Sequence, residues 1–210
     1  MKNFVLIVLC LCAAVTDAQT TLDVSAGLFD RKATYRLGEI SQTWGRWIIP
    51  DVGYLDFGEP REYRELFAGF GYKIFTSEKF ELAQEIFFVQ AQGREANHAR
   101  YIQPWMGVWY APHPRLNLEV AGLVYVPLNN REGQHEWVLE NAKISLNVSI
   151  FALGVGYGAN PEEGEWKNKP FLTATLAPAS GKFGSLEVWY FKPREGRTQL
   201  QAHFTLSVGK

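Results

Sequence analysis

The chain has 210 residues, and its 21 Lys and Arg against 22 Asp and Glu leave a net charge of −1. That length suits one domain of ordinary size. The charge balance gives no field that would draw the chain to nucleic acid or to an anionic surface, so nucleic acid is excluded as a partner.

The chain opens with a basic Lys2 and an apolar run from Phe4 to Val15. Thr16-Asp17-Ala18 follows, with small residues at the −3 and −1 positions of a cut before Gln19. This pattern reads as a secretory signal peptide over 1–18, with a single β-barrel domain over 19–210. The apolar run is too short to span a bilayer as a helix. Cys10 and Cys12 both lie inside it, so the mature chain carries no disulfide. Leucine precedes each cysteine, which argues against lipidation. No other stretch is apolar for about 20 residues, so a membrane location would have to be reached with strands.

Leu22, Val24, Ala26 and Leu28 alternate with Asp23, Ser25 and Gly27, which predicts a first strand near 21–29. From Asp30 to Arg61 the pattern is irregular and rich in Gly, Pro, Trp and charge. It is expected to be a long loop, about 30–61, with room for a short extra hairpin. Strand two is expected over 62–75, with Glu65 and Lys73 on the polar face. Strand three, 80–92, has no clear alternation around Ile86-Phe-Phe88. Strand four, 99–110, contains Pro104, which is unfavourable in a central ladder and points to a bulge. Strand five, 115–126, sets Leu118 and Val120 against Glu119. Strand six, 137–148, sets Ile144 and Leu146 against Lys143 and Asn147. Strand seven is 151–158, and Ala159 to Lys169 reads as a charged loop. Strand eight, 170–177, and strand nine, 185–192, follow, the latter with Glu187 on its polar face. Strand ten, 199–208, is the cleanest: Leu200, Ala202, Phe204, Leu206 and Val208 oppose Gln199, Gln201, His203, Thr205 and Ser207.

Ten strands of about ten residues, joined alternately by long and short connections, predict an all-β, antiparallel, up-and-down transmembrane barrel, with 8 or 12 strands as alternatives. Leu118, Val120, Ile144, Leu146, Leu200, Phe204 and Leu206 are then expected to face lipid, the outer-membrane lipid being the implied partner. Glu65, Lys73, Glu119, Lys143, Glu187 and His203 are expected to face a narrow lumen, as opposite charges that pair across it or line a binding cavity. A soluble periplasmic or secreted barrel would reverse the faces and hold an apolar ligand inside.

The pattern resembles small bacterial outer-membrane β-barrel proteins of the porin-like superfamily, in an uncharacterised family. The resemblance rests on the alternating strands, the signal peptide, Leu153-Gly-Val-Gly-Tyr-Gly158, and the runs Tyr101-Ile-Gln-Pro-Trp105, Tyr125-Val-Pro-Leu128 and Asn168-Lys-Pro-Phe171. It implies a cell outer-membrane location, assembly by the barrel-assembly machinery, and a structural, binding or narrow porin-like role. It implies no activity and no oligomeric state. Such barrels often end on an aromatic residue, whereas this chain ends Ser207-Val-Gly-Lys210.

Catalytic readings are weaker. His203, Thr205 and Glu187 would supply an imidazole, a hydroxyl and a carboxylate for acyl transfer, as an outer-membrane lipid hydrolase needs. His98 and His135, near Glu95, Glu132 and Glu136, fit no metal spacing and read as solvated loop residues. No cofactor, metal or catalytic residue is therefore assigned. The Trp residues are candidates for interfacial girdles, except Trp105 and Trp109, which the alternation places on the luminal face.

Overall fold

The computed structural model describes residues 18–29, 32–57, 63–93, 98–129, 136–162, 165–176, 184–191 and 199–209; all but the last residue of the expected signal peptide 1–18 lies outside them, as do Glu95, Glu132 and His135. Among the described residues the strands are β1 (Gln19–Phe29), β2 (Lys32–Trp44), β3 (Trp47–Phe57), β4 (Tyr63–Thr76), β5 (Phe80–Gly93) and β6 (Arg100–His113). They continue as β7 (Leu116–Pro127), β8 (Glu136–Val148), β9 (Phe151–Glu162), β10 (Glu165–Leu176), β11 (Ser185–Phe191) and β12 (Gln199–Val208). Each strand pairs antiparallel with its sequence neighbours, and β12 returns to β1, so the sheet closes on itself. The fold is an up-and-down barrel.

The count is twelve strands, not ten. The two additional strands lie in the stretch 30–61 that the sequence pattern gave as a long loop. β2 and β3 form a hairpin around Gly45-Arg46, with Trp44 opposite Trp47. Their alternation is concealed by one extra residue in β3 at Ile49-Pro50, which shows as a register shift against β2 between Ser41 and Thr43 and against β4 between Ile48 and Asp51. The shift moves the following residues of β3 to the other face. The expected charged loop over 159–169 is also mostly ladder, with Gly158 opposite Lys169 and Glu162 opposite Glu165.

Pro104 keeps its partner Ile86 on β5, but the β6–β7 ladder runs from Ile102 to Trp105 without a pair between them. Proline has no N–H to give that side, and the ladder is interrupted without a change of register. β5 explains its own ambiguity. Ala83, Phe87, Val89 and Ala91 are buried inside the barrel, while Leu82, Ile86 and Phe88 belong to the outer face. A strand apolar on both faces has no period of two to read.

Tight turns gather at one end: Gly45-Arg46, Ser77-Glu78-Lys79, Pro114-Arg115 and Ser149-Ile150. Gly45 and Ser149 have φ of 60° and 59°, the positive values that fit two-residue hairpins to the twist of their strands. β1 starts and β12 finishes here, with Thr20 opposite Val208. The connection 177–184 is the longer exception at this end. The opposite end carries the longer 58–62, 94–99, 128–135 and 192–198, together with the two-residue connections 30–31 and 163–164.

The outer face is apolar. Leu146 is 57% exposed and Leu153 62%. Val120, Ile144, Leu200 and Phe204 are exposed, and Leu118 and Leu206 stand half-buried on the same face. Toward the tight-turn end the outer face becomes aromatic. Trp47 meets Tyr72 edge-on at 4.8 Å, Phe75 meets Phe80 at 5.5 Å, and Phe80 lies 6.1 Å from Tyr110. Trp137, exposed toward the other end, is also outward. Trp105, Trp109 and Trp189 point inward, where they meet glutamates or other rings.

The inner face is mixed, with Ser25, Asp51, Glu65, Gln103, Asn141 and Thr173 buried on it beside Phe87, Val89, Leu123 and Phe171. Where large rings face inward, glycine lies beneath them. A Cβ on Gly156 would stand 2.3 Å from the Phe171 ring, and one on Gly107 would stand 2.3 Å from Trp105 and 2.5 Å from Trp109. These rings lie flat along the wall because the neighbouring position has no side chain.

Ala202 is hydrogen-bonded into both β1 and β11, opposite Ala26 and Val188. Ala202→Pro removes a ladder donor and leaves its acceptor unsatisfied, at a cost of about 1–3 kcal/mol, more where no water reaches the ladder. The variant is expected to lose the folded, faster-migrating band on an unheated gel.

Candidate functional site

The charged inner-face residues come from strands that are far apart in sequence. Lys143 on β8 lies opposite Glu119 on β7, and Glu119 Oε2 is 3.0 Å from its Nζ. The same ammonium donates to both Glu187 oxygens at 3.0 Å, although Glu187 is on β11. Two strands intervene, and Lys143 reaches that far because β9 presents Ala152, Gly154 and Gly156 inward and β10 follows with Thr173 and Thr175, small side chains that leave the space open. The glycine run thus serves the ion pair as well as the rings.

Around this pair the wall is aromatic. Trp189 stacks on Phe171 at 4.5 Å with 8° between planes, and Lys143 Nζ lies 5.6 Å from the Trp189 ring centre. His203 packs on the other side of Trp189 at 4.4 Å. The His203 Nδ1 and Ser25 Oγ are 2.8 Å apart, and the Thr205 hydroxyl donates to Asp23 at 2.5 Å. His203 Nε2 and Trp189 Nε1 are buried with no hydrogen-bond partner. A cavity of about 600 Å³ opens from this level toward the tight-turn end, lined by Glu119, Lys143, Ser145, Asn147, Thr175 and Glu187.

The remaining expected luminal residues lie elsewhere on the wall. Lys73 pairs with Glu81 at 3.0 Å. Glu65, 2% exposed and near the long-connection end, accepts from Tyr63. The structure therefore joins Glu119, Lys143 and Glu187, sets His203 beside them through Trp189, and leaves Glu65 and Lys73 apart.

The elements of the acyl-transfer reading do not assemble. Thr205 is occupied by Asp23, Glu187 by Lys143, and the hydroxyl beside His203 belongs to Ser25, which is 4% exposed. A substrate cannot reach it there. Among the described residues no group of three His, Cys, Asp or Glu could hold a metal ion. His98 is exposed at the rim, where its carbonyl accepts from Asn129.

Several inner-face acids carried little sequence signal. Glu39 and Asp51 lie in the hairpin hidden by the extra residue of β3. Glu140 is the extra residue of a bulge, since Ala121 lies opposite Asn141 and Gly122 opposite Leu139. It accepts from Trp105 Nε1 at 2.7 Å. Asp23 and Glu85 alternate correctly with their neighbours but stand in strands without a flanking charge pattern.

Neither a protein-family model nor a curated protein matches the sequence. Solved structures do match. The KdgM porin in complex with disordered oligogalacturonate aligns over 89% of this chain and 98% of its own, at 9% identity and a TM-score of 0.62. The NanC porin aligns over 90% and 99%, at 10% identity and a TM-score of 0.54. An outer membrane channel from Pseudomonas putida F1 aligns over 92% and 96%, at 9% identity and a TM-score of 0.52. The chain has the fold of outer-membrane porins. At these identities the likeness is one of fold, with the strands conserved in path and the side chains free to differ.

Lys143→Met leaves Glu119 and Glu187 facing each other without a counter-charge. The expected loss of stability is about 2–4 kcal/mol, softened from the fully buried case because the carboxylates are partly wetted. Adding Glu187→Gln should recover part of it. Denaturant midpoints of the single and double variants in detergent check both.

Proposed function

We propose that the protein resides in the bacterial outer membrane and forms a narrow, water-filled passage for small hydrophilic solutes. The observation that carries this reading is the polarity of the two faces. Leucine, valine and phenylalanine are exposed all round the outside, while buried serine, asparagine, glutamine and carboxylates occupy the inside. A soluble barrel has the opposite arrangement, and an exposed apolar belt of this size is foreign to a soluble monomer. The lipid-facing role of Leu118, Val120, Ile144, Leu146, Leu200, Phe204 and Leu206 is part of the proposal.

Four further features support it. The outer aromatic row at the tight-turn end matches the ring that anchors barrels at a membrane–water boundary. Short turns at the end where β1 starts and β12 finishes fit a periplasmic side, and the other end, with four of its six connections five residues or longer, fits an external side. The expected signal peptide over 1–18 would deliver the chain to the periplasm, where the assembly machinery for such barrels works. The inward rings lie against the wall over glycines, which leaves the axis less filled than their number suggests.

The passage reading predicts discrete conductance steps when the purified, heat-modifiable protein is added to a planar lipid bilayer. A folded protein that gives none would point to a closed, purely structural barrel. The face assignment has its own test. Leu146→Arg places a charge on the outer wall and should cost about 2–4 kcal/mol if that wall meets lipid near the midplane, less toward the boundary. Thr175→Arg places the same charge in the 600 Å³ cavity beside Glu187 and should cost much less. Equal tolerance in folding titrations would reverse the faces.

A further inference from the structure

The outer wall carries one depression. Along β4 the outward side chains include Leu66, Ala68 and Phe70, and Ala68 stands between Val52 on β3 and Phe88 on β5. A small residue among larger ones leaves room above it. The space is a groove of about 320 Å³, and the side chains that line it include Leu66, Ala68, Phe88, Gln90, Arg100 and Leu128. Register fixes its direction. Leu66 pairs with Gln90, and Gln90 with Arg100, the first residue of β6. Ala68 and Phe88 form the next outward pair, further from the long-connection end. The groove is therefore apolar toward the middle of the wall and carries an arginine where it approaches that end.

Arg100 is fixed through its backbone. Its N–H donates to Asn129 Oδ1 at 2.7 Å, and its carbonyl accepts from the Leu128 N–H at 2.8 Å. Asn129 donates in turn to the His98 carbonyl at 3.1 Å. Arg100 is exposed, and among the described residues no acid pairs with its guanidinium. Arg64, nearer the rim on the same face, differs in this, since Asp56 lies 3.5 Å from its Nε.

The surroundings decide the occupant. Lining atoms that face a void forfeit their dispersion contacts, so in a bilayer an acyl chain fills the groove. The guanidinium beside it then favours a chain whose headgroup carries phosphate, which it binds with paired N–H donors. A protein partner fits less well, because the groove engages a few side chains, whereas a stable interface takes about 20–30 residues a side.

We propose that the wall of β4 to β6 holds one phosphate-bearing membrane lipid, with an acyl chain against Leu66, Ala68 and Phe88 and the phosphate on Arg100. The inference rests on the outer-membrane reading above and adds a specific lipid site to it. It is independent of whether the lumen conducts.

Native mass spectrometry of the folded barrel in detergent tests it, with phosphatidic acid and the diacylglycerol of the same chains as probes. The unaltered protein should retain one phosphatidic acid about fivefold more tightly than the diacylglycerol, the effect of one arginine near a membrane surface. Arg100→Gln should bring the two lipids to the same level. Ala68→Phe fills the groove and should weaken retention of both. Arg115→Gln, at the opposite rim, should change nothing. Each variant is first shown to be folded by its heat-modifiable mobility, and should Ala68→Phe fail to fold, Arg100→Gln alone decides. Equal retention of the two lipids by the unaltered protein, or an Arg100→Gln variant that keeps the preference, would leave only the lipid layer common to any barrel and overturn the inference. A mass of two or more copies that Ala68→Phe reduces to one would assign the groove to a second barrel and overturn it too. A chain that stays in solution without detergent would overturn the membrane reading itself, and the inference with it.

Discussion

Pairing of the first strand with the last is the constraint on which the other features depend. A strand within a bilayer has no water to satisfy its N–H and C=O groups, so every ladder needs a neighbour on both sides. Only β12 can serve β1, and it does so from Thr20 to Phe29 without a register shift. Side chains reinforce the join on the inner face, through Ser25 with His203 and Thr205 with Asp23. Closure also separates inside from outside, and only then does a period of two in one strand become a polar lumen and an apolar belt.

Within that closed wall, small residues decide what the larger ones can do. β9 presents alanine and glycines inward, and for that reason Phe171 can lie flat and Lys143 can extend to Glu187. Gly71 plays the same part on β4, where the side chain of Glu85 from β5 lies over the space a Cβ would fill. Twelve strands enclose more space than a layer of side chains fills. The glycines keep that space along the walls rather than in scattered voids. Ring stacking and ion pairing then hold the lining in place, so the interior is ordered without becoming a packed core.

Much of this was legible in the sequence, and the reasons are local. β7, β8 and β12 showed their faces because one side is steadily aliphatic and the other carries Glu119, Lys143 or His203. The all-β barrel and the limits of eight strands followed from such runs. The hairpin of β2 and β3 was not legible, because an extra residue at Ile49-Pro50 breaks the alternation of β3. β5 was ambiguous because it is apolar on both faces. The site was legible in part. Glu119 and Lys143 are predictable as facing partners on adjacent strands. Their link to Glu187 depends on how far a side chain reaches around a closed wall, which no local pattern encodes. Glu140 faces inward only because a bulge adds a residue before Asn141.

The near-neutral charge of the whole chain conceals a separation that the fold produces. Acids face inward at several levels, whereas Arg46, Lys79 and Arg115 are exposed at the tight-turn rim and Arg64 and Arg100 toward the other. Exposed cations at the ends of a spanning barrel sit where lipid phosphates would lie, and acids inside a polar lumen keep their water or their partners. Among the described residues the inner wall itself carries both signs, with Lys73 and Lys143 set against Glu81, Glu119 and Glu187. Strand path alone cannot set that lining, because the residues that face inward change freely while the backbone ladder is kept. Barrels that superimpose in outline can thus differ in what lines them, and in this chain the reach of the lining side chains is set by the glycines beneath them.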